Sequence, residues 1–227
     1  MNNDFKGWRF WLPLLFQTGL ILAVPAQAIY TQLTGKTVIL QTIRADPYEL
    51  LQGYSQTLKY DISNQDSLRR LPGWRELPKQ QPSGSKLNFI EPGTRFYVIL
   101  AEPIGPPKSQ LPQAWKAIAL SLRRPVKLTE SQVALVGIVK AGSIQYGLER
   151  YYIPEDQREQ INSDLRQSSL SDPTPLQLAL PLADSPQQPT PPVVMEIKVN
   201  NQGNAVPIGL WARLGDAAKP QIRQYRF

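Results

Sequence analysis

Apolar and polar positions along this chain fall into three regimes. The first is the segment Phe10 to Ile29 (FWLPLLFQTGLILAVPAQAI), which carries no charged residue. At 1.5 Å rise per residue it spans about 30 Å, the thickness of a bilayer's hydrocarbon core, so it predicts a transmembrane helix. Trp8, Trp11 and Tyr30 bracket the stretch where amphipathic rings favour the headgroup level, and Lys6 and Arg9 predict a cytoplasmic N-terminus. Pro13 is expected in the first helical turn, where its missing N–H costs little, and Gln17 is a single polar residue the span can carry. Ala26-Gln27-Ala28 also resembles a signal-peptidase site, so secretion after cleavage near Ala28 stands beside a retained anchor. Both readings place the remainder outside the cytoplasm.

The second regime is short apolar runs and period-2 alternation, the pattern of strands. Thr37 to Ile43 reads as a buried strand, and Asp46-Pro47 opens a turn or short helix through Tyr48, Leu50 and Leu51 to Gly53. From Tyr54 to Ile62, the residues Tyr54, Leu58, Tyr60 and Ile62 share one face while Ser55, Thr57, Lys59 and Asp61 share the other. Phe96 to Ala101 is a continuous apolar run and hence a central strand; another follows around Trp115 to Leu122. Gln132–Val139 and Ile144–Ile153 flank Lys140-Ala141-Gly142-Ser143, a hairpin signal, and Val193–Val199 with Val206–Trp211 form a second, closing hairpin that should pair with the main sheet. Pro154, followed by Glu155 and Asp156, predicts the start of a short helix.

The third regime is rich in proline, glycine and polar residues. Residues 64–94 read as a long surface loop and 168–192 as a tether that buries too little apolar surface to offset its ordering entropy. The predicted organisation is an anchor or signal peptide (1–30), a β domain (31–167), a Pro-rich linker (168–192), and a closing hairpin with a basic tail (193–227). The predicted fold is mainly β, an antiparallel sandwich or an irregular barrel with one short helix, behind the N-terminal transmembrane helix.

Composition narrows the chemistry. The chain contains neither cysteine nor histidine, which removes disulfides, thiolate sites, the commonest zinc ligands and every proton relay through imidazole. The 22 prolines favour strands and turns over long helices. The net charge of +7 is spread in small groups such as Arg69-Arg70, Arg123-Arg124-Lys127 and Lys219-Arg223-Arg226, which suits a solvated surface beside an anionic bilayer better than a nucleic-acid face. No calcium-type run of Asp and Asn and no phosphate-cradling glycine loop occurs, so no metal, cofactor or nucleic acid is expected.

Two blocks stand out: Asp46-Pro47, then Gly53-Tyr54-Ser55-Gln56-Thr57-Leu58-Lys59-Tyr60; and Tyr146-Gly147-Leu148-Glu149-Arg150-Tyr151-Tyr152-Ile153-Pro154-Glu155. Together they resemble the GDYXXLXY family of membrane-anchored bacterial proteins, over roughly Ile29 to Gln160. The naming motif is matched at Gly53, Leu58 and Tyr60, while its Asp and first Tyr positions hold Tyr54 and Ser55. The resemblance implies an anchored protein in the cytoplasmic membrane, with its domain on the periplasmic side and a multi-pass membrane protein as a partner. It implies no activity.

Within these blocks, Ser55 and Lys59 lie about 13 Å apart on a strand, too far for a nucleophile and base, and read as solvated polar residues. Alternation puts Arg150 inside with Ile144, Tyr146, Leu148 and Tyr152, so it needs a carboxylate such as Asp46 or Asp61; a bulge at Gly147 would turn Glu149 inward instead. Tyr48, Tyr54, Tyr60, Tyr146, Tyr151 and Tyr152 divide between core positions and a surface that could bind a partner. No catalytic residue is assigned. The leading expectation is a tethered accessory or interaction module of a membrane or envelope complex. The alternatives are a hydrolase or carbohydrate-active enzyme using carboxylates such as Glu149 and Glu155, or a lipid or small-ligand carrier.

Overall fold

The computed structural model describes residues 5–43, 55–81, 87–105, 111–152, 193–214 and 221–226. Its first element is the helix α1 (Phe5–Thr34), within which Phe10–Thr34 is long and apolar enough to cross a membrane, with a mean hydropathy of 1.6. The helix begins earlier and ends later than the segment Phe10 to Ile29. Pro13 therefore lies in the helix interior rather than in its first turn, as does Pro25. Each removes an N–H from the helical ladder and crowds the preceding turn, which bends the helix.

Only Gly35 separates α1 from the strand β1 (Lys36–Ile43). The Gly35 amide donates to the Thr31 carbonyl at 2.8 Å. A side chain at position 35 would collide with that carbonyl and with the Val199 backbone, so the abrupt change from helix to strand requires glycine.

Two antiparallel sheets follow. One has the order β13 (Gln221–Arg226), β12 (Ala205–Leu214), β11 (Val193–Val199), β1, β3 (Lys59–Tyr60). The other has the order β7 (Lys116–Ser121), β6 (Arg95–Ala101), β8 (Gln132–Lys140), β9 (Ser143–Gln145). Two short ladders join β2 (Ser55–Thr57) to β10 (Arg150–Tyr152) and β4 (Lys79–Gln80) to β5 (Phe89–Ile90). Alternation sends Val38 and Leu40, Phe96, Val98 and Leu100, Val133 and Leu135, and Val193, Met195 and Ile197 into one core. Each such side chain contributes about 1.5–3 kcal/mol by leaving water.

The strands expected around Thr37–Ile43, Phe96–Ala101, Trp115–Leu122 and Gln132–Val139 are all present, as is the closing hairpin, whose β11 pairs with β1 from Lys36↔Val199 to Gln41↔Val194. Ala141 and Gly142, with φ of 47° and 81°, make the tight turn between β8 and β9. The strand expected from Ile144 to Ile153 is broken into β9 and β10, of which β10 pairs with β2. Three further expectations change. The strand from Tyr54 to Ile62 ends at Tyr60, and Asp61–Ser63 forms a 3-10 turn. Residues 221–226, expected as part of a basic tail, form the edge strand β13.

The third change concerns residues 64–94, which are more than a surface loop. The short helix α2 (Gln65–Leu68) is capped by the Asn64 side chain, which accepts from the Asp66 amide, and Leu68, Trp74, Leu77 and Ile90 are buried. Their irregular spacing between prolines hides any periodicity, because each docks singly on the core. Gln65 is buried too: its Nε2 donates to the Gly142 carbonyl at 3.1 Å, and its Oε1 accepts from the Ile90 amide at 2.8 Å. The Asp46-Pro47 turn, the helix expected at Pro154 and the tether at 168–192 lie outside the described residues.

Candidate functional site

The two motif blocks meet at the junction of the sheets. Residues 55–60 run extended and change partner at Leu58: Thr57 pairs with Arg150 of β10, the Leu58 amide donates to the Glu149 carbonyl at 2.9 Å, and Tyr60 pairs with Thr42 of β1. One short segment thus joins the five-stranded sheet to the β2–β10 ladder.

Two tyrosines lock this junction reciprocally. Tyr60 of the first block is fully buried and donates its hydroxyl to the Leu148 carbonyl of the second at 2.8 Å. Tyr146 of the second block, also buried, donates to the Ile62 carbonyl beside the first at 2.6 Å. Each phenol satisfies a main-chain acceptor that its own ring helps to cut off from water. Room for the Tyr146 ring comes from Gly137 of β8, where a Cβ would approach its Cε1 to 2.9 Å.

Glu149 shapes the break between β9 and β10. Its carboxylate accepts from the amides of Tyr146, at 2.5 Å, and Gly147, at 3.0 Å, while Gly147 itself adopts a φ of 78°. Glu149 is half-buried and turned back onto its own loop. Ile144, Tyr146 and Leu148 are buried as alternation predicts.

Asp61 lies directly after the motif tyrosine. One carboxylate oxygen accepts from the Ile62 amide at 2.7 Å, yet burial outweighs that bond and raises its pKa from 3.8 to about 6. The Tyr146 hydroxyl is raised well above its ordinary value, first by burial and then by the negative charges of Asp61 and Glu149. Asp61, Tyr146 and Glu149 therefore share one electrostatic neighbourhood. The sequence offered Asp61 only as a partner for Arg150; the signal that could have singled it out is a carboxylate immediately following a buried tyrosine.

Among the expected site residues, Leu58, Tyr60, Tyr146, Gly147 and Glu149 come together, and Arg150, Tyr151 and Tyr152 form the adjoining strand β10. Asp46, Pro47, Gly53, Tyr54, Pro154 and Glu155 lie outside the described residues, as does Tyr48. The two motif tyrosines Tyr60 and Tyr146 are packed inside rather than offered to a partner. Among the described residues no group of three or more Asp or Glu side chains could hold a metal ion. Both phenols donate to carbonyls and both Glu149 oxygens accept from amides, while Asp61 is the carboxylate here whose pKa burial raises, to about 6.

No curated protein and no solved structure matches the chain. The family model described as GDYXXLXY protein matches residues 17–210, a stretch that holds the later part of α1, both motif blocks and most of the closing hairpin, and the chain belongs to that family.

Proposed function

We propose that this chain is a membrane-tethered extracytoplasmic module, in which α1 crosses the bacterial cytoplasmic membrane from a cytoplasmic N-terminus. The β domain then works on the periplasmic side as an accessory or interaction part of a membrane or envelope complex. The observation that carries this reading is the exposure of Trp8, Trp11, Leu15, Phe16, Ile21 and Leu22 on a helix whose most apolar window has no buried share. In water each exposed side chain forgoes about 1.5–3 kcal/mol that a lipid environment returns. The test is a reporter enzyme fused after Phe227, with membranes washed in alkaline carbonate. Activity confined to the outer side, on a carbonate-resistant full-length product, is expected. Cytosolic activity, or release by carbonate, overturns the reading; a mature product starting near Ile29 replaces the anchor with secretion.

A carboxylate-dependent hydrolase or carbohydrate-active enzyme is the second reading. Asp61, raised to about 6 by burial, is the observation that favours it. Turnover of a chromogenic glycoside or peptide panel that disappears in Asp61→Asn, with the fold retained, would support it. Absence of turnover across the panel removes it.

A further inference from the structure

Between Phe10 and Ala26 the helix α1 carries one carboxamide and one side-chain hydroxyl, Gln17 and Thr18, and both residues are exposed. Neither side chain makes a hydrogen bond among the described residues. In lipid this matters, because no solvent is there to complete a polar group. A threonine completes itself by turning its hydroxyl back to the carbonyl four residues earlier, as Thr31 does to Gln27 at 2.9 Å and Thr34 to Tyr30 at 2.8 Å. A glutamine brings two N–H donors and a carbonyl acceptor, and a lone helix with its ladder already bonded offers no complete set of partners. Nor does Gln17 reach the headgroups. It lies seven residues from Phe10, about 10 Å along the axis, and its two methylenes are too short to carry the amide that far.

Pro25 adds a second demand on the same side of the helix. With no N–H at position 25, the Ile21 carbonyl loses the donor that would bond it in the ladder. At about 100° per residue, Leu14, Gln17, Thr18 and Ile21 fall within about 100° of arc and form one seam, while Leu12 lies on the opposite face. Leu14 and Ile21, which flank the polar pair, are exposed as well. The groups that hydrocarbon leaves unsatisfied are therefore gathered on one open stripe of the helix, and such a stripe is where a second helix packs.

We propose that α1 pairs within the bilayer with α1 of a second copy of this chain, in parallel, and that the two Gln17 carboxamides donate to and accept from one another across the seam. A carboxamide is donor and acceptor at once, so this helix is complementary to itself. Two copies inserted from the same side hold Gln17 at the same depth, and a two-fold axis along the bilayer normal makes the contact reciprocal. A helix of another protein would have to present a polar group of its own at that depth. The inference rests on the tethered reading above, and it names the partner of the anchor as the chain itself.

The chain has no cysteine, so a single Leu87→Cys on the exposed surface of the β domain takes either a donor or an acceptor fluorophore in the full chain. With the two labelled forms reconstituted together in phosphatidylcholine vesicles, energy transfer should saturate with protein-to-lipid ratio and fall when unlabelled chain is added. Gln17→Leu should raise the ratio needed for half-maximal transfer by roughly tenfold, and Gln17→Asn, which keeps the carboxamide, should recover most of the loss. Oxidation of single cysteines reads the seam separately: Leu14→Cys and Ile21→Cys should give disulfide-linked dimers, and Leu12→Cys should not. Transfer no greater than random mixing, in vesicles whose α1 resists carbonate extraction, overturns the pairing alone. Carbonate release overturns the tethered reading as well. Saturable transfer that Gln17→Leu leaves unchanged, or cross-linking at 12 as strong as at 14, moves the contact elsewhere and overturns the seam. In native membranes, an adduct of Leu14→Cys with a different protein in place of the dimer overturns the second copy as occupant.

Discussion

Tyr60 and Tyr146 each make one hydrogen bond that matters out of proportion to its size, because the acceptors are buried carbonyls with their access to water removed. Tyr60→Phe and Tyr146→Phe are each expected to cost about 1–3 kcal/mol in urea unfolding, the penalty of an orphaned acceptor. Because both bonds tie the same two segments, the double variant should depart from additivity, which a double-mutant cycle measures directly. Asp61 behaves in the opposite sense. Its folded pKa, about 6, exceeds the ordinary 3.8, so the folded state holds the proton more tightly than the unfolded one. The resulting stabilisation is complete below about pH 3.8 and is lost as pH rises through about 6. Asp61→Asn, which keeps an oxygen for the Ile62 amide, should therefore stabilise the domain at pH 7.5 on the order of 1–3 kcal/mol and give little gain at pH 4.5. Equal effects at the two pH values in thermal melts would contradict this sign.

Elements were legible in the sequence to the degree that their periodicity was local. Phe96–Ala101 and Gln132–Val139 announce themselves because neighbouring residues of one segment alternate or run apolar, and both are strands. The segment 64–94 did not, because Leu68, Trp74, Leu77 and Ile90 are anchored by contacts to distant strands and by Gln65, none of which leaves a repeat along the chain. The motif clasp was half legible: alternation placed Leu58, Tyr60, Tyr146 and Leu148 inward, but pairing of one block with the other depends on residues almost ninety positions apart, such as the Tyr60 to Leu148 bond with its separation of 88. The glycine at 137 belongs to the same problem, since only the folded sheet shows that Tyr146 fills the space above it. Gly137→Ala is expected to displace that ring and cost about 1–3 kcal/mol. Loss of the Tyr146 hydroxyl should then matter less in the alanine background. The junction of helix and sheet can be tested separately: Asn200→Asp keeps the two acceptor roles in the turn but loses the donor to Thr31. It should leave the domain's melting temperature nearly unchanged while increasing the rocking of the domain against α1, read by spin-label or fluorescence anisotropy in vesicles. Asn200→Ala should lower the melting temperature and increase the rocking as well.

At the scale of the molecule, the two larger sheets share one core, residues 55–60 tie the five-stranded sheet to the β2–β10 ladder, and a bent apolar helix enters that sheet with only Gly35 between. This arrangement makes orientation a property of the fold rather than of a flexible stalk. It also means that the motif residues conspicuous in the sequence serve first as the joint between the five-stranded sheet and the β2–β10 ladder. Disabling that joint should loosen both sheets together, so intrinsic fluorescence and amide circular dichroism of Tyr60→Phe should report one coincident transition, not two.

The pairing of β1 with β11 has a further bearing on how the protein is made. Thr42 donates to the Val193 carbonyl across a separation of 151 residues, and on the tethered reading proposed above β1 is the first strand to leave the translocation channel. Its partner β11 emerges long after it, so the nascent domain has a high contact order and, on that reading, its leading strand waits with its edge exposed until β11 arrives. An arrested chain ending before Val193 should remain as protease-sensitive as an unfolded polypeptide, and release of the last thirty-five residues should confer resistance in a single step.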